Sequence, residues 1–400
     1  MILSKKMENA NAGASMVRKM FEEGAVLKAR FGADKVFDFS LGSPDVPPPP
    51  AFKETLARIV AEDRPGSHGY MSNAGWPGVR EKVAAYLTRD QGGALRNEFS
   101  ADHVVMTVGA AGALNVILKT ILDPGDEVIT PRPYFVEYGF YAANHGGQVT
   151  AAEPGENFSL SVEAIKAKIT SKTRAVLINS PHNPTGVIYS ADELAALGRL
   201  LTEASRELER PIVLISDEPY RKLVYDGREA ASVFPAYPYS VVAYSYSKDM
   251  SLPGERLGYA AVNPDMPEAR LFFEGLCLAN RILGFVNAPS LMQLVLAELQ
   301  GVHVDIDLYR RRRDLFVEGL QKIGFELTVP SGAFYLFPKS PIADDKAFVN
   351  LLKEENILTV PGAGFSMPGY FRICYCTSEA AVKNSLPGFA RTFERAVKAA

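Results

Sequence analysis

Between about Ala51 and Gln300 the chain alternates short, almost unbroken runs of Val, Ile and Leu with longer stretches of helical spacing. The runs are Val104–Val108, Glu127–Thr130, Ala175–Ile178, Ile212–Ser216 and Val241–Tyr244. A strand with one wet face alternates apolar and polar residues. A strand without a polar face is covered on both sides, as in a parallel sheet between layers of helices. Leu114–Leu122 and Ala191–Ala204 have the spacing of crossover helices. The pattern predicts an α/β fold with an open, mostly parallel sheet. In such sheets ligands bind beyond the carboxyl ends of the strands.

The flanks read differently. Met16 to Phe31 places apolar residues at Met16, Val17, Met20, Phe21, Val26 and Ala29 with charges between, an amphipathic helix. Phe37 to Ser43 reads as a short strand. Pro44 and Pro47 to Pro50 force an extended connector. Beyond Gln300 a helix runs through Tyr309-Arg310-Arg311-Arg312-Arg313-Asp314, whose arginines are read as a solvated face. Phe325–Val329 and Ala333–Phe337 read as strands around Pro330-Ser331-Gly332. A helix at Ala347–Glu355 and a strand at Phe371–Tyr375 follow. We expect a large domain over residues 51–300, and a smaller α+β domain from 1–50 and 301–400.

Composition narrows the function. Net charge is −3, without the basic footprint of a nucleic-acid binder. There are three cysteines, Cys277, Cys374 and Cys376. That number disfavours a disulfide framework and suits a reducing cytoplasm. Cys374 and Cys376 stand two apart on an apparent strand and read as small core residues. No Cys/His cluster points to a metal. The basic start, Met1 to Met7, is followed by polar and small residues, so no signal peptide is expected. No window approaches the ~18 apolar residues of a membrane span.

Residues able to do chemistry follow the apolar runs directly. Lys248 sits in Ser245-Tyr246-Ser247-Lys248-Asp249-Met250-Ser251-Leu252-Pro253-Gly254-Glu255-Arg256-Leu257-Gly258-Tyr259. A lysine amine condenses with an aldehyde, and pyridoxal phosphate is the common aldehyde cofactor. Arg256 and Ser245 would suit its phosphate. A lone lysine is otherwise a solvated surface residue, which does not require this placement. Asp217 and Tyr220 lie in Ser216-Asp217-Glu218-Pro219-Tyr220. Asp217 suits a protonated ring nitrogen, or caps its turn; Tyr220 suits a phenolic oxygen, or is core. Asn183, in Ser180-Pro181-His182-Asn183-Pro184-Thr185-Gly186, offers an amide donor, and His182 reads as structural. Thr107-Val108-Gly109-Ala110-Ala111-Gly112 joins a strand to a helix start, where backbone N–H groups bind phosphate. It carries neither GxxxxGK[ST] nor GxGxxG. Phe135 could stack on a ring. Arg372, in an apolar strand, needs a carboxylate, whether a substrate's or a buried salt bridge's.

In this order the motifs resemble the class I/II aminotransferases, the fold-type I pyridoxal phosphate enzymes, from about Ser15 to Phe393. The resemblance implies a seven-stranded, mostly parallel sheet in the large domain and pyridoxal 5'-phosphate as cofactor. It makes Lys248 the Schiff-base lysine, Asp217 the ring-nitrogen partner, and Asn183 and Tyr220 the phenolic-oxygen partners. Phe135 matches the stacking aromatic. Gly109, Ala110, Ala111, Ser245 and Arg256 match the phosphate cup, with Ser247 beside them. Arg372 matches the clamp on the substrate α-carboxylate, and Gly42 the backbone contact near it. Tyr70, in His68-Gly69-Tyr70-Met71, resembles the tyrosine that reaches the neighbouring subunit's phosphate, which implies a homodimer with shared active sites. Two departures stand out. Glu255 replaces the tryptophan that many relatives place before the phosphate arginine, and the phosphate turn is an unusually small Gly-Ala-Ala.

The implied reaction moves an amino group from an L-amino acid to a 2-oxo acid, with Lys248 shuttling the α-proton. A β-lyase on the same scaffold would use the same residues and is the alternative. The substrate side chain is not legible. Arg281 reads as a surface or interface residue rather than a contact for a distal carboxylate. Tyr134 and Tyr138, beside Phe135, hint at aromatic substrates.

Overall fold

The apolar runs assemble into one seven-stranded sheet. The computed structural model describes the backbone of residues 2–12 and 16–399, and the side chains of these except residues 9, 12, 16–19, 21, 33 and 399. The strands are β1 (Phe37–Asp38), β2 (Val104–Thr107), β3 (Glu127–Pro131), β4 (Gln148–Ala152), β5 (Thr173–Asn179) and β6 (Val213–Asp217). They continue as β7 (Ser240–Ser245), β8 (Gly258–Val262), β9 (Tyr335–Leu336), β10 (Ile357–Leu358), β11 (Val360–Pro361) and β12 (Phe371–Cys374). The large sheet has the order β2-β8-β7-β6-β5-β3-β4. Only β8 runs against its neighbours.

Successive residues of one strand enter opposite cores, because side chains alternate across a strand. Val104, Met106, Val176, Ile178 and Leu214 pack on one face with Leu194, Leu197 and Leu201 of the helix Ala191–Glu207. Val105, Ala175, Leu177, Ile215 and Val241 pack on the other with Val116 and Ile117 of the helix Gly109–Ile121. A Ser190–Glu193 capping box starts the first of these helices. Two strands had no apolar run to announce them. β4 is a polar edge strand, and β8 is built of small residues between two others.

A third core joins the chain's two ends. Phe37 and Asp38 pair in parallel with Ile357 and Leu358. Phe39 packs against Phe316 and Phe389, with Phe325, Phe348 and Phe371 in the same cluster. The helix Met16–Phe31 forms, with Met20 buried in this core and Val26 exposed. The side chains of Met16, Val17 and Phe21 lie outside the described residues.

Three expectations fail here. Phe325–Val329 is not a strand: the Glu326 carbonyl accepts from Lys339 N–H at 2.9 Å, but no ladder follows, and β9 pairs with β12 instead. The strand read over Phe37 to Ser43 is two residues long, because the chain then turns into the pocket described below. The four arginines are not a solvated face. Arg312 and Arg313 are buried, pairing with Asp45 at 2.7 Å and with Asp226 at 2.7 and 3.0 Å. Each helical residue turns about 100°, so a run of four cannot all face water. Among the described residues no helix is long and apolar enough to cross a membrane.

Candidate active site

The carboxyl ends of β5, β6 and β7 lie side by side, and the loops that follow them open onto one pocket of about 290 Å³. From these ends come Asn183, Asp217, Tyr220, Ser245, Ser247 and Lys248. The start of the helix after β2 adds Ala110 and Ala111, and the loop after β3 adds Phe135. Gly42, Tyr335 and Arg372 reach in from the third core.

Lys248 Nζ donates to the Gly42 carbonyl at 2.6 Å. Burial pushes its pKa below that of a free lysine; Arg372 and Arg256 add to the fall, against Cys376 and Cys374. The amine is therefore easier to deprotonate, as a nucleophile or base must be.

Asp217 is buried at the end of β6. Tyr138 donates to its Oδ2 at 2.6 Å, while Oδ1 has no hydrogen-bond partner. Burial raises its pKa to about 7, and the Tyr138 hydroxyl opposes that rise. A buried carboxylate oxygen without a donor is costly unless a ligand supplies one. Asn179 ties this centre to the next loop: its Nδ2 donates to Asp217 O, and its Oδ1 accepts from Asn183 N, both at 2.7 Å.

At the far end the helix Gly109–Ile121 begins without a side-chain cap, leaving backbone N–H groups for an anion. Gly109 has φ +74°, and a Cβ there would stand 3.2 Å from Arg256 Nη2. The left-handed backbone favours glycine here, and a side chain would crowd the arginine. The Oγ atoms of Ser245 and Ser247 are 2.7 Å apart beside it.

Arg372 is buried in β12. Its Nη1 donates to Asn183 Oδ1 at 3.1 Å and its Nη2 to the Ser40 carbonyl, while Nε is unpartnered. No carboxylate among the described residues pairs with it. The buried salt bridge considered from the sequence is therefore absent among them. Asn183, with Oδ1 so engaged, keeps Nδ2 for an acceptor.

Other residues stand elsewhere. Tyr138 is bound to Asp217 rather than presented to a substrate side chain, and Tyr134 stacks against it at 6.5 Å without lining the pocket. That corrects the hint of an aromatic-substrate face. Arg281 is exposed on the helix Ala269–Ile282, and Tyr70 is 94% exposed; neither lines the pocket. His182 is buried with Nδ1 2.7 Å from Thr185 Oγ1, and burial lowers its pKa to about 3. Asn179 and Tyr335 were not recognised as site residues from the sequence, and Tyr138 only as an aromatic neighbour of the substrate. Tyr138 had a faint signal, three residues after Phe135; Tyr335 had none, because its partners are distant in the chain. Among the described residues no group of three His, Cys, Asp or Glu side chains could hold a metal.

Comparison with known proteins gives the family and the fold. Residues 34–386 match the family described as aminotransferase class I and II. The aspartate/prephenate aminotransferase of Thermus thermophilus is 34% identical over 92% of this chain and 93% of its own length. The structure of an amino transferase from Eubacterium rectale superposes with a TM-score of 0.94, at 38% identity, covering 99% of both chains. That of Thermus thermophilus aspartate aminotransferase with maleate gives 0.85 at 29% identity, covering 98% of this chain and all of that one. With its sheet, its strand-end pocket and these relatives along nearly its whole length, the chain belongs to the class I and II aminotransferases.

Proposed function

We propose that this aminotransferase works with pyridoxal 5'-phosphate bound to Lys248 and uses Arg372 to hold the amino acid. Arg372 carries the proposal. A buried guanidinium with no carboxylate partner among the described residues, in the same pocket as a lysine of lowered pKa, suits a substrate carboxylate.

The residues fit the cofactor. The free Oδ1 of Asp217 suits a protonated ring nitrogen. Gly109, Ala110 and Ala111, with Ser245, Ser247 and Arg256, suit a phosphate. Phe135 suits the ring face, and Asn183 Nδ2 and the Tyr220 hydroxyl its phenolic oxygen. Pyridoxal phosphate, when bound, supplies an aldehyde for amines and a ring that accepts electrons. Asp217 keeps the ring nitrogen protonated. Arg372 fixes the substrate carboxylate, with the Gly42 backbone beside it. Lys248, whose ammonium form burial disfavours, would take the proton from the substrate α-carbon.

Tyr70, exposed on its own chain, would serve a neighbouring subunit's phosphate in a homodimer. Exposed Leu271, Leu278 and Ile282 on one helix supply apolar surface for that contact. The three distinct cores support a large domain over 51–300 and a small one from 1–50 and 301–400. Three free cysteines favour a reducing, cytoplasmic setting, and exchange between amino acids and 2-oxo acids would serve amino acid metabolism.

The test is single-turnover chemistry. Protein loaded with pyridoxal phosphate and given one amino acid without acceptor should release one equivalent of 2-oxo acid per site, and turn over only when a second 2-oxo acid is added. Continuous formation of pyruvate and ammonia would replace transamination with elimination. Lys248→Ala should lose turnover at least a thousandfold; an active variant overturns its role.

A further inference from the structure

Tyr335 lines the pocket and has no part in the scheme above. Tyr335, from β9, is 2% exposed, and its hydroxyl lies 2.8 Å from that of Tyr220. The Arg372 guanidinium stands 4.7 Å from the centre of its ring, and 4.8 Å from that of Phe365. Its phenol also explains Gly42: a Cβ there would collide with the Tyr335 hydroxyl, and the Gly42 carbonyl is what accepts from Lys248. Tyr335 thus touches the carboxylate clamp, the backbone beside Lys248 and the phenol opposite.

The direction of the Tyr220–Tyr335 hydrogen bond decides what this contact does. Geometry alone allows either donor. Tyr220 has one hydroxyl proton. If that proton points at an acceptor in the pocket, Tyr335 must donate to the Tyr220 oxygen. Tyr220 is the only hydrogen-bond partner of the Tyr335 hydroxyl among the described residues. A hydroxyl that accepts a hydrogen bond is polarised into a better donor. The same tyrosine presents its ring to Arg372, an attraction that grows where water is excluded.

We infer that Tyr335 is a positioning residue with two separable parts. Its hydroxyl turns the Tyr220 proton toward the cofactor oxygen, and its ring holds Arg372 in place for the substrate carboxylate. This rests on the cofactor reading given above. One side chain of the third core thereby sets both ends of the site.

The test separates hydroxyl from ring. In protein loaded with pyridoxal phosphate, the visible absorption is titrated with pH, and binding of propionate, an unreactive carboxylate, is measured alongside. A donor to an anionic oxygen lowers the pKa of the proton that oxygen shares, so weakening the donor raises it. Tyr335→Phe should raise the absorption midpoint by roughly half to one pH unit, the effect of one neutral hydrogen bond. It should leave propionate affinity within about twofold, because the ring remains. Tyr335→Leu should raise the midpoint similarly and weaken propionate about tenfold. In a Tyr220→Phe background, Tyr335→Phe should shift the midpoint no further. An unshifted midpoint in Tyr335→Phe overturns the hydroxyl's role, and unchanged propionate affinity in Tyr335→Leu overturns the ring's. Wild-type protein that gains no visible band with pyridoxal phosphate defeats the cofactor reading itself, and this one with it.

Discussion

The sheet and the third core solve the same burial problem with different residues. The sheet is sandwiched by aliphatic side chains, Val, Ile and Leu on both faces. The third core is aromatic, with Phe39, Phe316, Phe325, Phe348, Phe371 and Phe389 in edge, tilted and stacked contacts. Aliphatic layers repeat along the strands and leave their ends free to carry loops. Aromatic packing gathers segments far apart in sequence and fixes the angle of each ring. The pocket draws on both. The sheet supplies the lysine, the aspartate and the anion turn, while the aromatic core supplies the arginine and the tyrosine pressed against it.

The comparison predicts unequal responses to mutation. The largest concerns the aromatic core. Phe316→Ala should cost about 3–5 kcal/mol in denaturant unfolding, against about 0.5–1.5 kcal/mol for Ile215→Val in the sheet. Equal losses would overturn the expectation that removing a ring from the aromatic core leaves a larger void than trimming one methyl group from the sheet. Next, Arg372→Leu should lower kcat/KM roughly a hundredfold to a thousandfold, because charged hydrogen bonds to the substrate disappear. Pyridoxal phosphate affinity should stay within a few-fold, since the sheet end holds it; joint loss would merge the two halves of the site. Then Tyr138→Phe, at the sheet end, should loosen the cofactor about tenfold while sparing carboxylate binding. Without that donor the Asp217 pKa rises further, so the loss should grow as pH falls toward 7 and below.

The last effect is a slope with pH. His182 has its folded pKa depressed from 6.5 to about 3, so the native state stays neutral where the unfolded chain takes up a proton. Its contribution is present above pH 6.5 and lost as pH falls toward 3, at up to about 1.4 kcal/mol per unit. His182→Asn should flatten that part of the stability curve, measured by urea unfolding between pH 7 and 5. An unchanged slope would show that the imidazole is not held neutral.

The sequence made the sheet and its strand-end chemistry legible for one reason. Each of Lys248, Asp217 and Asn183 lies within a few residues of a buried run, so order along the chain reported position in space. β4 and β8 escaped notice because a polar edge strand and a small-residue strand carry no run. The third core was read less well. Phe325–Val329 has strand composition but finds no partner, and Arg312 and Arg313 look solvated until Asp45 and Asp226 reach them from distant segments. Tyr335 went unseen because its partners, Tyr220 and Gly42, are joined to it only by the fold. Tyr138 was noticed for its ring, whereas its hydroxyl on Asp217 is what matters.

The parallel pairing of Phe37 with Ile357 sets a timetable. On a ribosome the first strand emerges about 320 residues before the strand it will lie against, while every strand of the large sheet meets its neighbours sooner. The nascent chain can therefore close its sheet and shape the anion turn while its own beginning is still waiting. Arg372, proposed to hold the substrate, is among the last parts to be made, so on that reading a truncated product would retain the strand-end pocket and have nothing with which to hold an amino acid.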